Sequence, residues 1–141
     1  MIKVGSQLPD FSLESSTGGP LAANTLKNKT AVLMFASQKS IKTVDRWFDE
    51  VNSRVGKRDD VAVAIVGVLN QLPAFVPKTA VVARLKRMTS TPILMDMKGV
   101  VAEALGVVND TPVIVVAKNG VCEGVFGSPD ADFYRMLESS S

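Results

Sequence analysis

Two uninterrupted apolar runs, Ala31-Val32-Leu33-Met34-Phe35-Ala36 and Val61-Ala62-Val63-Ala64-Ile65-Val66-Gly67-Val68-Leu69, constrain this chain more than any other feature. Successive side chains of a strand point to opposite faces, so a strand with one wet face alternates apolar and polar residues. These runs do not alternate. Both faces of each strand are therefore covered, the pattern of inner strands in a parallel or mixed sheet, with the first run near the sheet centre. Neither run reaches the roughly 20 residues that an apolar helix needs to cross a bilayer, so no transmembrane segment is expected.

Helical periodicity fills the gaps between the runs. Ile41, Val44, Trp47, Phe48, Val51 and Val55 recur at the spacing of one helix face, and Gly56 is a natural stop. Two further helices are expected over Lys78 to Met88 and Val100 to Leu105, separated by the short strand Pro92-Ile93-Leu94-Met95. Near the end, Pro112 to Ala117 and Val121 to Phe126 flank the turn Lys118-Asn119-Gly120, whose Asn-Gly pair suits the type I′ turn of a hairpin. A helix over Asp130 to Leu137 follows, and Ser139-Ser140-Ser141 is expected to be disordered. At the other end, Pro9 to Leu13, the turn Ser15 to Pro20 and Leu21 read as a small hairpin. The alternation of strands and helices gives an α/β fold.

Length and composition narrow the function classes. The chain has 141 residues, 46% of them hydrophobic, which suits one domain spanning 1–141, and it shows no internal repeat or dividing linker. A net charge of +2 leaves no electrostatic footprint for nucleic acid. With no histidine and the single cysteine Cys122, the chain lacks the commonest general base and metal ligand and cannot form an internal disulfide. No metal site and no cofactor are expected. The opening Met1-Ile2-Lys3-Val4-Gly5 lacks a charged segment followed by an apolar one, so the sequence as given reads as cytoplasmic. A trimmed signal or anchor would instead mean a periplasmic or other extracytoplasmic location.

Three motifs carry a family resemblance. Val4-Gly5-Ser6-Gln7-Leu8-Pro9-Asp10-Phe11-Ser12-Leu13 resembles the "VGxxxPDFxL" opening of the peroxiredoxin superfamily and of the membrane-anchored bacterial thioredoxin-like reductases that serve cytochrome c maturation. The stretch from Pro92 through Asp96 and Gly99 to Gly106-Val107 resembles the same group's "P-x-L-x-D-x-x-G-x-x-A-x-x-Y-G-V" segment. Thr111-Pro112 falls where those proteins carry a cis-proline loop. The resemblance implies a thioredoxin-like fold, a central mixed β-sheet flanked by helices with an N-terminal β-hairpin extension.

The sequence departs from the family at the residues that do redox chemistry. The resemblance implies a C-x-x-C at the junction of the first long strand and its helix, where a helix N-terminus lowers a thiol pKa. Here the junction reads Ser37-Gln38-Lys39-Ser40-Ile41-Lys42-Thr43. Lys39 and Lys42 replace the cysteines in one register, Ser40 and Thr43 in the next, and a peroxiredoxin register puts the peroxidatic position near the apolar Val44. No register supplies a thiol. Disulfide exchange needs an attacking thiolate, so no catalytic residue is assigned.

Each candidate has a structural and a functional reading. Ser40 is expected as an N-cap accepting a helix N–H, while Lys39, Ser40, Lys42 and Thr43 together could hold an anion. Thr111 and Pro112 are expected to shape a turn, and in the functional reading they line a groove for an extended peptide, with Ser37, Gln38, Gln71 and Leu72 as further lining. Cys122, in a strand away from the helix start, reads as a small core residue. Lys78, Arg84, Lys86 and Arg87 alternate with Val81, Val82, Leu85 and Met88, which fits the solvated face of an amphipathic helix better than a basic patch. The leading expectation is a redox-inactive domain that binds a protein or peptide partner as an accessory or chaperone-like factor. The competing expectation is a thiol-disulfide oxidoreductase or peroxidase-related enzyme using Cys122 or an external thiol.

Overall fold

The structure is a computed structural model and describes residues 4–70, 75–107 and 111–138. Its frame is a seven-stranded mixed sheet. The strands are β1 (Ser12–Ser15), β2 (Pro20–Ala22), β3 (Thr30–Ala36), β4 (Val61–Val68), β5 (Ile93–Asp96), β6 (Val113–Lys118) and β7 (Val121–Phe126), in the order β2-β1-β5-β4-β3-β6-β7. β3 lies parallel to β4 on one side and antiparallel to β6 on the other, and every one of its residues is buried. This double covering is why its sequence shows no alternation.

Alternate residues of β3 serve two cores. Val32, Met34 and Ala36 face a layer formed by helices α1 (Ile41–Val55), α2 (Lys78–Met88) and α4 (Ala131–Glu138). Ala31, Leu33 and Phe35 face the other layer, made by α3 (Val100–Ala104), Leu8 of the N-terminal segment and Leu26 of a short 3-10 helix, Ala23–Leu26, that the sequence does not announce. β4 departs from the expectation of full burial, because Ala62, Val63 and Ala64 are only half-buried. The reason is its neighbour: β5 is four residues long and pairs from Ile65 onward, so the first half of β4 has no strand on that side.

In α1, Ile41, Val44 and Val51 are fully buried and Trp47 and Phe48 pack half-buried against the same cluster. Gly56 ends the helix, yet its φ of −65° is right-handed rather than the left-handed conformation of the usual glycine stop. A side chain there would drive its Cβ into the Asn52 carbonyl oxygen, so close approach is what favours glycine at that position. In the β6–β7 turn both Asn119 (φ 54°) and Gly120 (φ 80°) are left-handed, as a type I′ turn requires. The β1–β2 hairpin joins the sheet through antiparallel pairing of Glu14 with Met95.

In α2, Val81 and Leu85 are buried while Arg84, Lys86 and Arg87 are exposed. Among the described residues no helix is long and apolar enough to cross a membrane. Residues 139–141, expected to be disordered, lie outside the described residues.

Candidate functional site

Four strand ends define the region where the family's redox site would sit. The parallel strands β3, β4 and β5 finish at Ala36, Val68 and Asp96, and the registers place Ala36 beside Gly67 and Val68 beside Asp96. The β3–β6 register ends with Phe35 beside Val113. The Thr111–Pro112 peptide, which is cis, therefore enters the sheet at the end where Ser37 leaves it. Thr111 and Pro112 are both half-buried. Clefts at the carboxyl ends of parallel strands are a general location for binding sites in α/β sheets.

The link from β3 to α1 is a tight turn built on two serines. The Ser37 N–H donates to Ser40 Oγ at 2.9 Å, the Ser40 N–H donates to the Ser37 carbonyl at 3.1 Å, and the two hydroxyls are 3.2 Å apart. This corrects the expected role of Ser40. It occupies the cap position, but its hydroxyl accepts no N–H from the helix and instead closes the turn behind it. The cause is backbone geometry: with φ −108° and ψ 1°, Ser40 is already turned away from the extended conformation in which a cap side chain reaches forward.

Lys39 and Lys42 are exposed, Thr43 and Gln38 are half-buried, and Ser40 is buried. The turn thus presents ammonium groups to solvent while its better placed hydroxyl is committed to backbone contacts. Gln71 and Leu72 lie outside the described residues. What the sequence reading missed is nearby: Phe75, 86% exposed, leads through Val76 and Pro77 into α2. A signal for it was present, since an aromatic between Pro73 and Pro77 has no regular element to bury it.

Cys122 sits elsewhere. It lies in β7 beside Ala117, is fully buried, and belongs to the core layer on the sheet face opposite α1. Its backbone is tied to the N-terminal segment, with its N–H donating to the Ser6 carbonyl at 2.7 Å and its carbonyl accepting from Gly5 N–H at 2.7 Å. Burial, reinforced by the neighbouring charge of Glu123, pushes the thiol pKa above its ordinary value. That shift favours the thiol over the thiolate.

Comparison with known proteins places this geometry. A thiol-disulfide oxidoreductase from Bacteroides fragilis superposes with a TM-score of 0.72 at 14% identity, over 96% of this chain and 100% of that one. The pneumococcal exposed lipoprotein thioredoxin from Streptococcus pneumoniae gives 0.71 at 23% identity, over 92% of this chain and 99% of that one. A candidate protein disulfide isomerase from Bacteroides thetaiotaomicron gives 0.74 at 14% identity, over 99% and 89%. These likenesses establish the thioredoxin-like fold. No curated protein sequence matches the chain. With that fold in place, and with residues 4–125 matched by its family model, the chain belongs to the AhpC/TSA family.

Proposed function

We propose that this member of the family is redox-inactive and acts as a binding domain for a protein or peptide partner. The observation that carries the reading is the position of its single cysteine: Cys122 is buried in β7 on the face opposite α1, and the α1 start offers only Lys39, Ser40, Lys42 and Thr43. Thiol-disulfide exchange begins with a thiolate attacking sulfur, and neither a hydroxyl nor an ammonium group replaces it. A second cysteine to resolve a mixed disulfide is missing from the chain. Binding, in contrast, needs only a surface. The exposed Phe75 supplies an apolar anchor at the same end of the sheet, and Lys39 and Lys42 supply charge that favours an acidic partner.

The test is insulin reduction and peroxide consumption by the purified protein, with dithiothreitol or glutathione as reductant, compared with Cys122→Ser. The expected result is no turnover above the thiol background for either protein. Turnover that disappears in Cys122→Ser would overturn the reading in favour of a single-cysteine enzyme. Partner capture should then be lost in Lys39→Glu with Lys42→Glu and in Phe75→Ser, each with unchanged melting temperature. Capture unaffected by all of these changes would move the contact surface away from the α1 start.

A further inference from the structure

On the sheet face opposite α1, a cavity of about 420 Å³ opens between the β1 hairpin, the end of β5 and α3. Its size falls within the range of ligand sites, roughly 300–1,000 Å³. Phe11, Leu13, Val101 and Ala104 give it an apolar wall, and Val100 stands at its lip with 62% of its surface in water. Large aliphatic side chains this exposed are few among the described residues, and this one borders a concave surface.

Asp96 gives the cavity its polarity. The residue is 2% exposed, and its Oδ2 accepts the Ala102 N–H at 3.0 Å, securing the start of α3. Its Oδ1 takes no hydrogen bond from any described residue, and it lines the cavity rather than being sealed in the core. Among the described residues no fully sealed side-chain oxygen lacks a partner, so Oδ1 is reachable from the cavity, where a cationic donor gains a charge-assisted hydrogen bond. The charges around it do not fill that role. Lys78 is committed to an ion pair with Glu14 at the rim, and Lys98 is exposed. Asp10, also at the rim, adds negative charge and lies 3.9 Å from Lys27. The acidic groups on the lining therefore outnumber the basic ones, and Phe11 offers an aromatic ring that suits a cation.

We propose that this cavity binds a primary organic ammonium ion with an apolar body, its nitrogen donating to Asp96 Oδ1 and its hydrocarbon lying against Phe11, Leu13 and Val101. The site is independent of the α1 start, so it stands or falls apart from the proposed partner binding. The experiment is an NMR titration of the isotopically labelled full chain with n-hexylammonium, with hexanoate as the opposite-charge probe. Saturable shifts should be confined to the lining residues, and hexylammonium should bind tighter than hexanoate. Asp96→Asn keeps an acceptor for the Ala102 N–H but removes the charge, and should weaken binding about tenfold or more, as expected for a charge-assisted hydrogen bond. Lys98→Glu, on an exposed side chain, should tighten hexylammonium binding by roughly twofold to fivefold, the size of an exposed charge effect. Ala104→Phe should block the cavity. Equal or tighter hexanoate binding, absence of saturation, or unchanged affinity in Lys98→Glu would each overturn the proposal. Should Asp96→Asn fail to fold, the Lys98 and Ala104 variants still decide it.

Discussion

The cavity beside β5 lies on segments that resemble family motifs, the start of α1 lies where the sequence departs from the family, and the two hold opposite chemistry. At α1, the backbone geometry of a thioredoxin-like helix start is present, while the thiols that the resemblance implies are replaced by exposed lysines and by a serine hydroxyl consumed in its own turn. At the cavity, the Pro92 to Val107 segment marks the fold in the sequence, and it contains a nearly fully buried carboxylate, one oxygen of which takes no hydrogen bond from the described residues. The difference teaches that a motif fixes where the backbone goes, through apolar spacing and turn residues. The reactive group on that backbone can change without moving it, so fold and chemistry have to be read separately.

The comparison breaks first if the two regions are not energetically distinct. Ile41, the first residue of α1, is fully buried against the β3 layer and sets the height of the helix start. Ile41→Ala should cost about 2–5 kcal/mol in denaturant unfolding, the range for a buried aliphatic truncated to alanine. Ala104, exposed on α3 at the cavity, should behave as a surface position when enlarged to Phe, within about 0.5 kcal/mol of the parent. A large loss for Ala104→Phe would mean the cavity wall is part of the core rather than a vacant site.

Much of this architecture was legible from residues alone. The two unbroken apolar runs mark β3 and β4, the apolar spacing in Ile41 to Val55 marks α1, and Asn119-Gly120 marks the last hairpin, because each follows from a local rule of burial or turn geometry. The 3-10 helix Ala23–Leu26 was not legible, since its four residues carry no period and no side-chain cap. The half-burial of Ala62 to Ala64 was also hidden, because it depends on the length of a strand that is distant in sequence. At the site, the missing thiols could be read directly. The fate of the Ser40 hydroxyl could not, because it rests on one backbone ψ value. The open oxygen of Asp96 needs the fold of three separate segments around it.

A finer test separates turn closure from helix capping at the α1 start. Ser40→Ala removes the acceptor of the Ser37 N–H, and in this part-buried setting the loss should be about 1–3 kcal/mol. Hydrogen exchange assigns the effect: the Ser37 amide should lose protection, while the amides of Lys42 and Thr43 should exchange as before, because the Ser40 side chain accepts from neither. Faster exchange at Lys42 and Thr43 with Ser37 unchanged would restore the capping role.

The smallest expected effect concerns the far half of α1, which holds the helix that carries the lysines. The Tyr134 hydroxyl of α4 donates to Glu50 Oε2 at 2.7 Å, and the Arg54 guanidinium lies 4.1 Å over the Tyr134 ring. Partial burial, then the hydrogen bond to Glu50 and its charge, push the Tyr134 pKa up to about 12, against the opposing influence of Arg54. A folded-state pKa above the unfolded value means that the protonated phenol is favoured by folding. Its contribution is therefore fully present below the ordinary tyrosine value of about 10 and is lost as pH rises through about 12. The buried Cys122 thiol, also raised, acts in the same direction at alkaline pH, so the measurement belongs in a Cys122→Ser background. As the chain has a single tyrosine, its ultraviolet tyrosinate absorbance reports this group alone. The midpoint should lie well above that of the unfolded chain, and denaturant stability should decline as pH rises above about 10. Tyr134→Phe should flatten that decline while leaving hexylammonium binding at the opposite sheet face unchanged. An ordinary tyrosine midpoint would remove the α1–α4 contact as a support for the helix, and a change in ligand affinity would show that the two faces of the sheet are coupled.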